Sequence, residues 1–275
     1  MIVRQLKFGD MRVEIIRVTP DMAKAWLKKN SKNRNIRPNQ LALMGRDMKN
    51  RAWHVNGDTI CIAKDGVLFD GQHRLQAIIN SGKSQVLIVV TGLEDEARKT
   101  KDAGAKRSPG DMLKLAGERN SNALAAVLRM MALYAKGGVA GAIDKSSLVT
   151  NSEIEETLEV FPDIRASVDI VSGRFRPLYN LASGRVWGFL HYIFSQGAPE
   201  EADIFLDGVM TGIGFKKNHS IFQLRKRLVN DRMEQRKIPA RIIMILIIKA
   251  WNLFREGREC KALRVVQNEG LPKVA

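Results

Sequence analysis

The chain has 275 residues, 45% hydrophobic and 27% charged, with a formal net charge of +16 and a pI near 10.1. That length suffices for two domains with their own cores, and the composition excludes a disordered, collagen-like or disulfide-stapled chain. The charge exceeds what solubility requires, so an acidic partner is expected, with nucleic acid first. It is unevenly placed: +10 over residues 1–110, +1 over 111–144, −5 over 145–214 and +10 over 215–275. Cys61 and Cys260 have neither metal-ligand nor disulfide spacing, so a reducing, cytoplasmic setting is expected. The opening residues lack the apolar core of a secretion signal. The longest apolar run, 242–248, is too short to cross a bilayer, so it reads as a buried core helix and no membrane is expected.

Residues 2–8 and 11–18 are rich in β-branched side chains and flank Gly9-Asp10, which predicts a hairpin. Thr19-Pro20 reads as cap and first position of a helix carrying Met22, Trp26 and Leu27 inward and Lys24, Lys28 and Lys29 outward. Residues 30–37 hold Lys32, Arg34 and Arg37 and no acid, a loop that is either solvated or touches phosphate. Pro38 opens a second helix with Leu41, Met44 and Met48 along one face. Residues 59–64 and 67–70 pair as strands around Asp65-Gly66, a two-residue turn signal.

The next stretch organises the chain. An apolar run ends in Asp70, Gly71 follows, and Leu75, Ile78 and Ile79 then recur at helical spacing until Gly82, so strand, tight turn and helix are predicted. A helix start already favours an anion, and Gln72, His73 and Arg74 place a proton donor and a guanidinium fork in the same turn, the outline of a phosphate site. The plainer reading makes Asp70 a cap, Gly71 a turn residue, and His73 and Arg74 solvated side chains. In either reading Arg74 is a surface residue of little packing weight. Residues 85–91 read as a strand of the type buried on both faces, and 94–102 as a polar helix. Around Gly104, Lys99, Lys101, Asp102, Lys106 and Arg107 form either a second anion clamp or an interdomain linker.

From Ser108 nearly every segment reads helical: 109–117, 121–136, 151–160, 163–172, 181–196, 198–212, 218–235 and 239–256, with no fixed-period repeat. Lys216, Lys217, Arg225, Lys226, Arg227, Arg232, Arg236 and Lys237 lie at or along the 218–235 helix, a stripe that can track DNA phosphates or simply face water. His54, His191 and His219 have no ligand partners in sequence, so no structural zinc is expected, and His191 reads as packed. Glu153, Glu155, Glu156 and Glu159 read as a solvated face. There is no P-loop or Rossmann fingerprint, so any nucleotide is expected at the Gly71 turn.

Asp70-Gly71-Gln72-His73-Arg74-Leu75 resembles the nucleotide-binding turn of the ParB and sulfiredoxin superfamily, in the Asp-Gly-Gln-His-Arg form of phage and mobile-element members. Arg37-Pro38, Trp53 to Gly57, Lys64 to Gly66 and Asp102 to Arg107 occur in the order usual for that family, over about residues 15–115. Sulfiredoxin carries a Cys where this chain has Gln72, so sulfinic acid reduction is not expected. The resemblance implies a mixed-sheet ParB/sulfiredoxin-like domain over 1–108, and with the helical reading of 109–275 the expected class is an α+β protein with an all-helical C-terminal domain. It further implies a nucleoside triphosphate, CTP or ATP, and possibly Mg²⁺, with DNA as partner and homo-oligomers left open. Gly71, Gln72, His73, Arg74, Arg37, Lys106 and Arg107 are then the nucleotide residues. Asp70, His73 and Arg74 would be the catalytic ones if a nucleoside triphosphatase or phosphotransferase operates, with Asp70 holding the metal or acting as base. The alternatives are a non-catalytic DNA-binding module and a metal-dependent nuclease using Asp70 and Asp102.

Overall fold

The computed structural model describes residues 2–30, 33, 35–94, 97, 108–144 and 147–275, and the chain divides into two compact units, Met1–Lys106 and Arg107–Ala275. The first is mixed α and β. β1 (Ile2–Phe8) and β2 (Met11–Val18) form the hairpin, β2 pairs antiparallel with β5 (Gln85–Leu93), and β5 lies parallel to β3 (Thr59–Ala63). β4 (Leu68–Asp70) closes the order β1-β2-β5-β3-β4, antiparallel to β3 with Cys61 opposite Asp70.

Among the described residues three helices accompany the sheet: α1 (Pro20–Leu27), α2 (Pro38–Lys49) and α3 (Gln72–Ser81). Thr19 caps α1 by accepting the Met22 N–H, and Pro at the first position costs no hydrogen bond. Ile16, Val18, Leu87, Val89, Ile60 and Leu68 from the sheet meet Ala23, Met48, Leu75, Ala77 and Ile78 from the helices in one core. Strand β5 corrects the sequence expectation of burial on both faces. Leu87 and Val89 are buried while Val86, Ile88 and Val90 are half-buried, because the described helices pack on one side of the sheet. The predicted 94–102 helix, and Lys99, Lys101, Asp102, Lys106 and Arg107 with it, lies outside the described residues apart from Glu94 and Ala97.

The second unit is helical among its described residues: α4 (Pro109–Leu115), α5 (Ser121–Gly141), α6 (Asn151–Val160), α7 (Ile164–Ser172), a 3-10 turn (Arg176–Asn180), α8 (Gly184–Ser195), α9 (Pro199–Thr211), α10 (Ser220–Met233) and α11 (Ala240–Arg255). Ser108 with Asp111, and Thr150 with Glu153, make reciprocal capping boxes that fix the starts of α4 and α6. Glu153 also pairs with Lys136, so it leaves the solvated face on which Glu155, Glu156 and Glu159 stay exposed. On α11, Ile245 to Ile248 are fully buried on every side, as a helix apolar all round requires, and Trp251 stacks on Phe194 at 4.2 Å.

One described helix, Ser121–Gly141, has the length and apolar composition to cross a membrane. It is two helices joined at a kink where Gly137 and Gly138 leave helical geometry, and Leu124, Val127, Leu128 and Met131 bury its face in the core of the unit. His191 is packed as expected, 3% exposed, with Nε2 3.1 Å from Asp203 Oδ1 and Nδ1 3.5 Å from Ser195 Oγ. That tie joins α8 to α9, and Asp203 is held in turn by Arg174 at 2.8 Å.

Candidate functional site

β4 runs into α3 through Gly71, whose φ of +103° is the left-handed conformation that spares only glycine a steric penalty. A Cβ there would lie 2.4 Å from Ile60 Cδ1 and 3.3 Å from Ile60 Cα, so the glycine also allows the turn to lie flat against β3. The first intrahelical hydrogen bond runs from Leu75 N–H to Gly71 O at 3.0 Å. Sequence order, strand register and glycine geometry together fix where the next three side chains go.

Arg74 does not face water. The residue is 9% exposed, and its guanidinium bridges Asp58 Oδ2 at 2.8 Å and Asp70 Oδ2 at 2.9 Å while donating to Thr59 O at 2.8 Å. Its Nε is buried without a hydrogen-bond acceptor among the described residues. The solvated reading is therefore corrected: the planar fork that made Arg74 a candidate phosphate ligand ties the α3 start to the β3 start and to the end of β4. Any phosphate approaching it has to share the guanidinium with two carboxylates already there.

His73 and Gln72 are equally engaged. His73 Nε2 accepts the backbone N–H of Arg37 at 2.9 Å, which puts the proton of the neutral ring on Nδ1. Gln72 Oε1 accepts from Asn30 Nδ2 at 2.9 Å, and Asn33 Nδ2 donates to Asn30 Oδ1 at 2.6 Å and to Leu68 O at 2.8 Å. Leu68 N–H reaches back to Lys29 O at 3.1 Å. The chain leaving α1 is thus stitched across the β4–α3 turn, and it delivers Arg37, the residue preceding α2, to the first turn of α3. The Arg37 side chain is exposed and has no hydrogen-bond or ion-pair partner among the described residues.

Four participants escaped the sequence reading: Asn30, Asn33, Asp58 and Thr59. Asn30 and Asn33 sat in a loop read for its bases alone, and nothing local to Asn56-Gly57-Asp58 announces a partner fifteen or so residues away. Asp70, the expected metal ligand, is committed to Arg74, and no group of three or more His, Cys, Asp or Glu able to hold a metal occurs among the described residues. Lys106, Arg107 and Asp102 lie outside the described residues.

The basic α10 region divides into two sets. Arg225 donates to Val209 O at 2.8 Å and Met210 O at 2.5 Å, closing the C-terminal carbonyls of α9, so its guanidinium serves as a cap. Arg227 is bound to Asp231 at 2.7 Å, and Arg236 pairs with Asp231 and Glu234. Lys216, Lys217, Lys226, Arg232 and Lys237 are exposed with no side-chain partner among the described residues. The stripe expected along one face reduces to these five free cations. Comparison with family profiles, with curated proteins and with solved structures gives no significant match.

Proposed function

We propose that the first unit binds a nucleoside triphosphate at the β4–α3 turn and that the protein works at DNA, in the manner of the ParB and sulfiredoxin superfamily whose motif it resembles. The observation that carries the reading is Arg37: its backbone N–H is hydrogen-bonded to His73 in the first turn of α3, and its side chain is exposed without a partner among the described residues. An anion placed there meets the positive end of the helix dipole and a planar donor fork together. In this reading Arg74, Asp58 and Asp70 fix the turn, His73 positions Arg37, and Arg37 takes the phosphate charge that the motif alone assigns to Arg74. DNA is supported by the net charge of +16 and by the free cations on and before α10.

The internal pairing of Gln72, His73 and Arg74 supports a second reading, in which the turn is a structural joint and the protein is a DNA-binding module without nucleotide. Thermal unfolding of the full chain with CTP, ATP and Mg²⁺ separates the two. A nucleotide at 100 times its dissociation constant adds roughly 2.7 kcal/mol, and Arg37→Ala abolishes the gain while leaving the unliganded melting temperature unchanged. No shift with either nucleotide, at DNA affinity retained, selects the module.

A further inference from the structure

Within the helical unit, α5 with the residues that follow it, the beginning of α8 and the beginning of α11 wall a cavity of about 160 Å³. We infer that it binds a free α-amino acid with a medium-sized apolar side chain. Size sets the first limit: a cavity of about 150 Å³ holds a benzene-sized group, so nucleotides and peptides are too large for it. The floor sets the second. Met130, Leu133 and Val186 line it and are at most 4% exposed, a surface that favours methyl and methylene groups over water.

Arg129, Arg185 and Arg241 line the same cavity. Arg129 is half-buried on α5; it donates to Ser147 O at 2.9 Å and has no ion-pair partner among the described residues. Arg241, half-buried on α11, donates to Glu269 O, while the Glu269 carboxylate pairs with Lys249 at 2.5 Å. Both guanidiniums are therefore held in place by neutral carbonyls. A half-buried cation without a counter-ion is costly, and a carboxylate bound by the guanidiniums offsets that cost. Arg185 is exposed and has no side-chain partner among the described residues. Asp144 supplies the opposite charge on the cavity wall, its Oδ2 accepting the Ser147 hydroxyl at 2.5 Å. A carboxylate has about four acceptor positions, so Asp144 can take an ammonium as well. An α-amino acid carries carboxylate, ammonium and side chain on one carbon, and the cavity offers guanidinium, carboxylate and apolar floor to match. An alkyl carboxylate leaves Asp144 facing a second anion, an alkylamine brings a cation among three arginines, and inorganic phosphate leaves the floor uncovered.

Calorimetric titration of the full chain with L-leucine, 4-methylpentanoate and 3-methylbutylamine tests the site, since the second ligand lacks only the ammonium and the third only the carboxylate. L-leucine is expected to bind at least tenfold tighter than either, and at least tenfold tighter than glycine, which lacks the side chain. Arg185→Ala, at an exposed residue without a partner, is expected to weaken leucine at least tenfold while the melting temperature of the free protein stays unchanged. Asp144→Asn, which can still accept from Ser147, is expected to bring leucine and 4-methylpentanoate to similar affinity. Arg37→Ala is expected to leave leucine binding as it is, which keeps this site separate from the α3 turn. Absence of leucine binding, equal affinity in the parent protein for leucine and any of the three simpler ligands, or leucine binding indifferent to either Arg185→Ala or Asp144→Asn overturns the inference.

Discussion

Replacing Arg74 by Ala tests the reinterpretation of the motif most directly. The substitution removes two ion pairs and a hydrogen bond to a backbone carbonyl, all between 2.8 and 2.9 Å, from a residue that is 9% exposed. Breaking a fully buried pair costs about 3–5 kcal/mol, but here the Asp58 side chain is 53% exposed and regains water, whereas that of Asp70 is 25% exposed and largely does not. The expected loss lies between the surface and buried limits, about 2–3 kcal/mol, which for a unit of roughly a hundred residues lowers its melting temperature by about 10 °C or more. Urea and thermal denaturation followed by far-UV circular dichroism read it out, with Asp58→Asn as the milder partner change. Arg74→Lys, which keeps the charge but cannot bridge two carboxylates and a carbonyl, should recover only part. An Arg74→Ala protein as stable as the parent would refute the claim that this guanidinium holds the turn together, and would return it to the pool of phosphate ligands.

Gly71→Val should cost roughly 3 kcal/mol or more, because a branched residue at φ +103° is strained and its Cβ meets Ile60; normal stability in a urea titration would contradict that packing. His191 has its pKa pushed below 6.5 by burial, against the opposing pull of Asp203, so the unfolded chain protonates first on acidification. Its contribution is therefore present above pH 6.5 and lost as pH falls through the depressed folded value, and His191→Gln should flatten the fall in melting temperature across that window. Binding to duplex DNA should weaken steeply with salt, and Lys216→Ala with Lys217→Ala should reduce the log–log slope by about 2 units without changing stability; an unaltered slope would remove those lysines from the interface. Arg225→Ala should instead lower the melting temperature, since it uncaps α9, and a change in DNA affinity at unchanged stability would show that reading to be mistaken.

The sequence by itself determined the local structure. Periodicity, Thr19-Pro20 and Pro38 as starts, and Gly82 as a stop put nearly every described helix within a few residues of its place, because those signals act within one turn of the chain. It also determined that Asp70-Gly71 must be a tight turn between strand and helix, since the apolar run and the helical spacing meet there. What the tertiary structure decided was the assignment of each polar side chain. Arg74 and Arg37 look alike as letters, yet one is buried against Asp58 and Asp70 and the other stands exposed beside His73, a difference created by the packing of α3 on β3 and by the path from α1 to α2. In the same way Arg225 and Arg232 belong to one basic run, and only the position of the α9 carboxyl end makes the first a cap and leaves the second free. Charge is a property of the residue, but its availability to a partner depends on which acceptors the fold has already brought within about 3 Å of it.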